Sequence, residues 1–510
     1  MKRRILLAGV ALALVLGCAM RVERKMIQPG ELATVDATAP FLKAHMRDGS
    51  LLVLSSWIAN DTARVVRGTG TRYAVDRTML PDSAHSISID SVAIFETNVA
   101  RNSPTIGALA IVTGITASVA VVCAIDPKTC FGSCPTFYVT DGERHRLQAE
   151  GFSASIAPSL EARDVDALYR ARPTGRTVRI DMVNEAYETH VVRYARLLVA
   201  PRRAGERVFH DGKGSFWSGT TPVPPARCTG DEGDCRATVV AFDEHERTSS
   251  ADSTDLATRE IVELTFAPAT SPGLVIASRQ SLLPTYLLYQ GLAYLGTNVG
   301  TFMRSLAGAD SATLSRTRSM AEQLGGIDVQ VQEDGAWRAL TSIRETGPLA
   351  SDLRVVPLPA STNDSVRVRL VMSKGAWRVD WAALTSLGEP IVPVTLEPSR
   401  VETRGRSSQE GKEARTKLVH ETEALVTYPG DRHTLVYELP GEAGDFELFL
   451  DTRGYYLEWM RQEWLAETSM ARAASMFLDP AGSLRRLAPP FKNVEARMDS
   501  IFWRSKYVAR

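Results

Sequence analysis

The six cysteines are the residues whose chemistry depends most directly on their spacing in this sequence. Cys130 and Cys134 form a CxxxC pair, and Cys228 and Cys235 form a Cx6C pair. Such pairs can close disulfides in an oxidising compartment, bind a metal ion or remain as thiols. Because no histidine lies close to either pair, we predict disulfides and no metal site. The pairing stays open, since Cys123 could replace Cys134 as the partner of Cys130.

Cys18 ends a segment that has the layout of a secretory signal. Positive charges at Lys2 to Arg4 precede an uncharged apolar run, which is too short to span a hydrocarbon core of about 30 Å comfortably. The ending Val15-Leu16-Gly17-Cys18 resembles the lipobox of bacterial lipoproteins, which implies cleavage before Cys18 and acylation of its thiol. Attached acyl chains make a stable membrane anchor. An ordinary signal peptide with a chance cysteine is the alternative.

Recognised catalytic motifs are missing from the sequence. It contains no GxSxG, HExxH, P-loop or GxGxxG pattern, and its eight histidines are scattered. His145 and His190 each follow nearby glutamates and could act as general bases, although histidines at strand ends are common. The acidic loop at 231–234 does not match the ligand spacing of an EF-hand. We therefore assign no catalytic residue, no metal site and no cofactor.

Composition excludes few classes of function. The chain has 510 residues, and its 59 basic side chains balance 59 acidic ones. Its length predicts about two to four domains. A neutral chain lacks the basic footprint that nucleic acid requires, so we predict no nucleic-acid partner.

Hydrophobic periodicity predicts an α+β chain that is mainly β. We expect two β-sandwich-like regions, a small N-terminal β module, an apolar helix and a helical C-terminal tail. The predicted division is a signal peptide at 1–17, an anchor and tether at 18–44, the β module at 45–100, the apolar helix and cysteine loop at 101–135, a sandwich-like domain at 136–270, a helical segment at 271–326, a sandwich or jelly roll at 327–452, and the helical tail at 453–510.

The segment 106–125 is the most unusual stretch of the sequence. It is apolar or small throughout and long enough to cross a membrane as a helix. Its glycines and alanines would also permit close packing of a helix within a protein. A crossing of the inner membrane would place 126–510, with both cysteine pairs, in the reducing cytoplasm. Spanning and burial both remain open.

Three local predictions concern the second half of the chain. The charged stretch 402–417 is predicted to be a mobile loop. Pro489-Pro490 is predicted to break the C-terminal helix. The pairs Trp377/Trp381 and Tyr455/Tyr456 could form a sugar-binding face or, as is more typical of aromatic stripes, belong to the core.

A recurring pattern carries a resemblance to a family. Its parts are Cys134-Pro135-Thr136-Phe137-Tyr138, Asp141-Gly142, Glu150-Gly151-Phe152, Asn184-Glu185 and Glu188-Thr189. Together with the glycine-rich apolar segment before them, they resemble a family of uncharacterised bacterial envelope lipoproteins. The resemblance covers about 45–200 and implies location and domain order, but no activity.

These observations favour a lipid-anchored cell-envelope protein that is non-catalytic and binds a partner or acts as a scaffold. By resemblance to Gram-negative lipoproteins, the presence of Ala19 rather than Asp after Cys18 implies the periplasmic face of the outer membrane. The expected partners are the membrane, through acylated Cys18 and through 106–125 if it inserts, and a protein or glycan. The alternatives are an envelope hydrolase acting on glycans and a membrane-embedded component of a larger assembly.

Overall fold

The computed structural model describes residues 19–103, 134–299, 302 and 320–500, apart from 37, 61, 75–78, 82, 142–143, 174, 345–346, 361–363, 421 and 460–466. Antiparallel β-strands dominate this part of the chain, with a few short helices between them and a helical C-terminal tail. The predicted fold class, α+β and mainly β with several domains, is confirmed.

The N-terminal module is a seven-stranded antiparallel sheet in the order β1-β7-β2-β3-β4-β5, with β6 paired to β4. Alternating residues such as Leu42, Ala44, Leu52 and Leu54 fill its core, as expected for strands with one buried face. The strands are β1 Ala19–Ile27, β2 Leu42–Met46, β3 Leu51–Asn60, β4 Val65–Tyr73, β5 Met79–Leu80, β6 Ala84–Ser88 and β7 Val92–Ser103.

The rest of the described chain forms four more sheets and four α-helices. Its strands are β8 Thr136–Asp141, β9 Arg144–Glu150, β10 Ala162–Ala167, β11 Thr177–Val183, β12 Glu188–Pro201, β13 Glu206–His210, β14 Phe216–Thr220, β15 Arg227–Gly230, β16 Gly233–Asp234, β17 Arg247–Thr248, β18 Arg259–Phe266, β19 Pro272–Gln280, β20 Ile327–Glu333, β21 Ala336–Ile343, β22 Asp352–Pro357, β23 Val366–Ser373, β24 Trp377–Ile391, β25 Val394–Leu396, β26 Arg400–Thr403, β27 Leu425–Thr427, β28 Arg432–Glu438 and β29 Phe446–Glu458. The helices are α1 Leu283–Leu295, α2 Ser408–Val419, α3 Met470–Leu478 and α4 Pro480–Glu495.

These strands form sheet I (β26-β28-β11-β8-β9), sheet II (β10-β29-β12-β25, with β27 on β12), sheet III (β13-β14-β24-β19-β22, with β17 on β24) and sheet IV (β16-β15-β18-β23-β20-β21). Each sheet combines strands from before and after α1. The segments 136–270 and 327–452, predicted as two separate sandwich domains, therefore share all four sheets. The physical reason is that β11, β12 and β18 find their hydrogen-bonding partners β28, β29 and β23 far away along the chain.

The four sheets stack as layers. One core lies between sheets I and II, a second between II and III, and a third between III and IV. Strands in the middle layers are buried on both faces: in β19, Leu274 and Ile276 enter the third core, while Val275 and Ala277 enter the second. Sheets III and IV thus form a sandwich that shares one layer with its neighbour.

The helical tail packs on the third core. Leu484, Leu487 and Phe491 of α4 are buried there beside α1 and α3. The predicted helix break at Pro489-Pro490 is wrong, because α4 continues through both prolines to Glu495. Burial of the apolar residues on either side of the prolines offsets the backbone hydrogen bonds that proline cannot make.

The predicted mobile loop at 402–417 is also wrong. Most of it is α2, which begins with a capping box in which Ser407 accepts from the Glu410 backbone and Glu410 accepts from the Ser407 backbone. Ala414 and Leu418 of this helix are buried against the core between sheets I and II.

Among the described helices, none combines the length and apolarity needed to cross a bilayer. The segment 106–125, for which spanning was considered, lies outside the described residues, as do Cys18 and residues 1–17.

Candidate functional site

A polar pocket of about 650 Å³ opens where the edges of three sheets meet. It is lined from β10 of sheet II, from β13 and β22 at the two edges of sheet III, and from β21 at the edge of sheet IV. The turn after β9 supplies Phe152 to Ser155. Ligand sites occupy concave volumes of roughly 300–1,000 Å³. Its size and its charged lining make this pocket the candidate site.

Strand β10 carries two carboxylates on one face. Asp164 and Asp166 are two residues apart, whereas Val165 and Ala167 between and beside them pack in the core between sheets II and III. Asp164 lines the pocket and accepts a hydrogen bond from the Phe152 backbone at 3.1 Å. Asp166 is buried at 3% exposure. The alternation of the strand therefore places both acids on the opposite face of β10, which is the face that Leu450, the cross-strand partner of Asp166, turns toward the core between sheets I and II.

Strands β13 and β22 add an imidazole, a carboxylate and a guanidinium. His210 Nε2 lies 3.5 Å from Asp352 Oδ1, and Arg354 Nε donates to Asp352 Oδ2. Asp352 is almost fully buried, while His210 and Arg354 line the pocket. A buried carboxylate requires such partners, since an unpaired charge away from water is costly.

The acids of the cluster differ in proton affinity. Burial, together with the nearby Asp352 charge, raises the pKa of Asp164 to about 6. Burial and the Asp164 charge raise the pKa of Asp166 well above its usual range. Burial also works to raise the pKa of Asp352, but the Arg354 charge and the His210 side chain outweigh it and set this pKa at about 2. The cluster thus combines Asp352, whose pKa of about 2 keeps it ionised at neutral pH, with two acids whose pKa values are raised.

The tight hairpin between β13 and β14 forms the wall of the pocket that carries Lys213. The Asp211 carboxylate accepts from the backbone of Lys213 and Ser215, at 2.8 and 3.0 Å. Gly212 has a φ of +71°, and a Cβ there would lie 3.1 Å from Arg354 Cδ, so only glycine suits this position. Lys213 Nζ donates to Thr341 of β21 at 3.2 Å, which joins the hairpin to sheet IV across the pocket.

The opposite wall contains a strained residue. Phe152 has a φ of +41°, which is rare for a residue with a side chain. Its own backbone N–H is directed at Asp164, and its ring is buried in the core between sheets I and II. Strain of this kind costs of order 1–3 kcal/mol and is concentrated at functional sites.

Several buried polar atoms near the pocket have no hydrogen-bond partner among the described residues. They are Asp166 Oδ2, Ser155 Oγ and Thr452 Oγ1, where Thr452 pairs with Asp164 across β10 and β29. Buried polar atoms are normally satisfied, and a buried water is a common partner for such atoms. Carboxylate acceptors and guanidinium and imidazole donors side by side suit a ligand that carries several hydroxyl groups.

Of the sequence-predicted site residues that the structure describes, Cys134, Cys228 and Cys235, none lines this pocket. Cys228 and Cys235 form a disulfide beside β15, in sheet IV. Cys134 is buried, and its side chain hydrogen-bonds to Glu150. Cys18 and Cys130 lie outside the described residues, so the lipid attachment and the Cys130–Cys134 pair stay predictions. Within the described residues, no group of three or more histidine, cysteine, aspartate or glutamate side chains has metal-binding geometry.

The other candidates from the sequence have structural contacts. His190 is buried and lies 3.0 Å from Glu188, and His145 lies 3.3 Å from Asp181. The acidic loop pairs with cations, Asp231 with Lys374 and Glu232 with Arg247. All four aromatic residues considered as a sugar-binding face are buried: Trp377, Trp381, Tyr455 and Tyr456.

Sequence reasoning missed every residue of the pocket cluster. The available signal was the Asp164-Val165-Asp166 alternation, which places two acids on one strand face. Asp352 and Arg354 alternate in the same way on β22, but the contact between Asp352 and His210 joins strands distant in sequence and leaves no local signal.

Comparisons with known proteins are sparse. No protein family and no curated protein matches the chain. Among solved structures, a GH31 alpha-xylosidase from Xanthomonas citri aligns over 85% of this chain and 38% of its own, with 8% identity and a TM-score of 0.14. The secreted serine protease VesC from Vibrio cholerae aligns over 72% of this chain and 99% of its own, with 7% identity and a TM-score of 0.12. This chain thus spans about two fifths of the xylosidase. TM-scores this low indicate no shared fold, so neither protein bears on function.

Proposed function

We propose that this protein is a lipid-anchored envelope protein whose polar pocket binds a hydroxyl-rich, glycan-like ligand. The observation that supports binding is the cluster of Asp164, His210, Asp352 and Arg354 beside a pocket of about 650 Å³. The lipid anchor rests on the signal-like segment that ends at Cys18.

A glycan suits this pocket because each sugar hydroxyl both donates and accepts hydrogen bonds. The Asp164 carboxylate accepts from two such groups, and the Arg354 guanidinium donates to others. Hydrogen bonds to charged groups contribute about 1.5–3 kcal/mol each, roughly twice as much as neutral ones. Specificity then comes from where these groups are fixed, by the Asp211 hairpin on one wall and the Phe152 turn on the other.

Asp164→Asn is expected to weaken glycan binding by about 10- to 100-fold, the loss of one charge-assisted hydrogen bond. Asparagine keeps the shape of the side chain and an oxygen that can accept from the Phe152 backbone. The measurement is isothermal titration of the full-length chain with a panel of neutral and acidic oligosaccharides at pH 7.5, where most of the Asp164 is ionised.

Asp231→Asn is the matched control, since Asp231 is an exposed acid paired with Lys374 and outside the pocket. Equal affinity of the Asp164 and Asp231 variants for every bound oligosaccharide would rule out the pocket as the binding site. A chain that binds no member of the panel would contradict the proposed function.

A glycan hydrolase is the second candidate, and the unequal acids favour it. Paired carboxyl groups whose pKa values are driven apart are typical of acid–base catalysis. Asp164, with its raised pKa, would protonate the leaving glycosidic oxygen while water adds to the anomeric carbon. In a separate assay of the same oligosaccharides at pH 5, where most of the Asp164 keeps its proton, hydrolysis would appear as newly formed reducing ends in the wild-type chain but not in Asp164→Asn. Binding without new reducing ends would contradict the hydrolase and support the binding function.

Cys18→Ser is expected to move the protein from the membrane fraction to the soluble extracytoplasmic fraction, because the acylated thiol is proposed to be the anchor. The measurement is fractionation of spheroplasts that express either chain with an export signal, followed by external protease. Cys123→Ser is the control and is expected to stay in the membrane fraction. Membrane retention of Cys18→Ser with 126–510 protected from protease would instead show that 106–125 spans the bilayer.

A further inference from the structure

A second, largely apolar cavity of about 320 Å³ lies between α1, α3 and the turn after β9. Its apolar walls come from helix side chains, among them Leu288, Leu292, Met476 and Phe477. Largely apolar pockets of this kind bind apolar ligands, because the ligand removes the apolar walls from water. The charged residues of the polar pocket cluster do not line this cavity.

Helix α1 turns a continuous apolar stripe toward the cavity. Thr285, Leu288, Leu292 and Leu295 all line it, at the spacing of three and four residues that defines one face of a helix. Leu288 remains only partly buried, although it sits in a helix whose other leucines are covered. Leu288 therefore leaves apolar surface on this face that an apolar ligand can cover.

The two cavities adjoin. Ser153, Ala154 and Arg344 line both the polar pocket and the apolar cavity. At the same end of the apolar cavity lies Glu150, which is 1% exposed. Its Oε2 accepts from the Leu349 backbone at 2.7 Å, while its Oε1 has no nitrogen or oxygen partner among the described residues. The apolar cavity therefore has polar lining residues at the end where it adjoins the polar pocket.

We propose that the two compartments together bind one amphiphile, a glycolipid-like molecule with its hydroxylated head in the polar pocket and a single alkyl chain in the apolar cavity. This inference rests on the proposed binding of a hydroxylated ligand. It adds that the ligand carries an apolar tail, which a soluble oligosaccharide lacks. The polar pocket adjoins the apolar cavity, just as the polar head of such a molecule adjoins its apolar tail.

The test compares methyl and octyl β-glycosides of glucose and N-acetylglucosamine, titrated into the full-length Cys18→Ser chain below the critical micelle concentration. Each buried methylene improves affinity by roughly fourfold, so the octyl compounds are expected to bind at least about 100-fold more tightly than the methyl compounds. In Leu288→Trp, whose indole fills the cavity, the octyl affinity is expected to fall to that of the methyl compound. Leu478→Trp, at a position on α3 that is 81% exposed, is the matched control and should keep the full gain.

Each outcome decides between the two proposals. Equal affinity for methyl and octyl glycosides would overturn this inference and leave the proposed function standing. Octyl binding that depends on Leu288 but not on Asp164 would overturn the shared occupant, since the head would lie elsewhere. Failure of all four glycosides to bind would contradict both proposals. Circular dichroism of Leu288→Trp shows whether its loss of affinity comes from unfolding.

Discussion

Arg247→Met is expected to lower the free energy of unfolding by about 3–5 kcal/mol, because it leaves a buried carboxylate without its partner. The Arg247 side chain is 2% exposed and donates to two glutamates. Its Nη2 lies 2.7 Å from Glu260 Oε2, and its Nε lies 2.6 Å from Glu232 Oε1. Glu260 is 1% exposed, and its other hydrogen bond comes from Ser249 at 2.6 Å. One hydroxyl cannot replace a guanidinium beside a buried charge.

Urea denaturation followed by tryptophan fluorescence measures the effect. Arg338→Met is the matched control: Arg338 pairs with Glu333 at 3.1 Å within sheet IV, but its side chain is 70% exposed, so a loss under about 1 kcal/mol is expected. The double variant Arg247→Met/Glu260→Met should recover most of the stability, since two apolar side chains replace the pair. Equal losses in Arg247→Met and Arg338→Met would contradict the assigned role of the network.

Local sequence patterns were enough to predict the types of secondary structure but not the pairing of the strands. Period-two alternation in strands such as Ile327–Glu333 identified β-structure, and the apolar tail identified helices. The grouping of strands into four shared sheets could not be predicted, because antiparallel pairing across more than 200 residues leaves no periodicity in either strand. The short apolar run at 197–200 of β12 was a visible trace, since a strand between two cores is buried on both faces.

One error came from weighing composition above local chemistry. The stretch around Ser407 was interpreted as a loop from its charge, although Ser407 and Glu410 form the S-x-x-E spacing of a capping box. The pocket was missed for a different reason. Its acids lie on β10 and β22, and nothing in either strand shows that the other will approach it. Charged residues on strands usually face solvent, so only packing distinguishes Asp164 and Asp352 from exposed acids.

The pH dependence of stability offers a direct test of the chemistry assigned to Glu150, at the junction of the two cavities. Burial raises its pKa from 4.5 to about 7, although hydrogen bonds from the Leu349 and Ala350 backbone and from Cys134 work in the opposite direction. The folded chain therefore keeps the Glu150 proton between pH 4.5 and 7, where the unfolded chain has lost it. Since the folded state binds more protons in that window, this residue makes stability fall as pH rises, with no further change above about pH 7.

Glu150→Gln is expected to be about as stable as the wild-type chain at pH 4 and more stable by about 3 kcal/mol at pH 8, because glutamine resembles the neutral acid at every pH. Urea denaturation of both chains at the two pH values measures the difference. Glu333→Gln, a change at a partly exposed surface acid, is expected to leave the difference between the two pH values almost unchanged. Parallel pH profiles for wild type and Glu150→Gln would show that Glu150 ionises in the folded chain as it does in water. In that case the end of the apolar cavity next to the polar pocket is wet, and an alkyl chain would have no dry compartment to enter there.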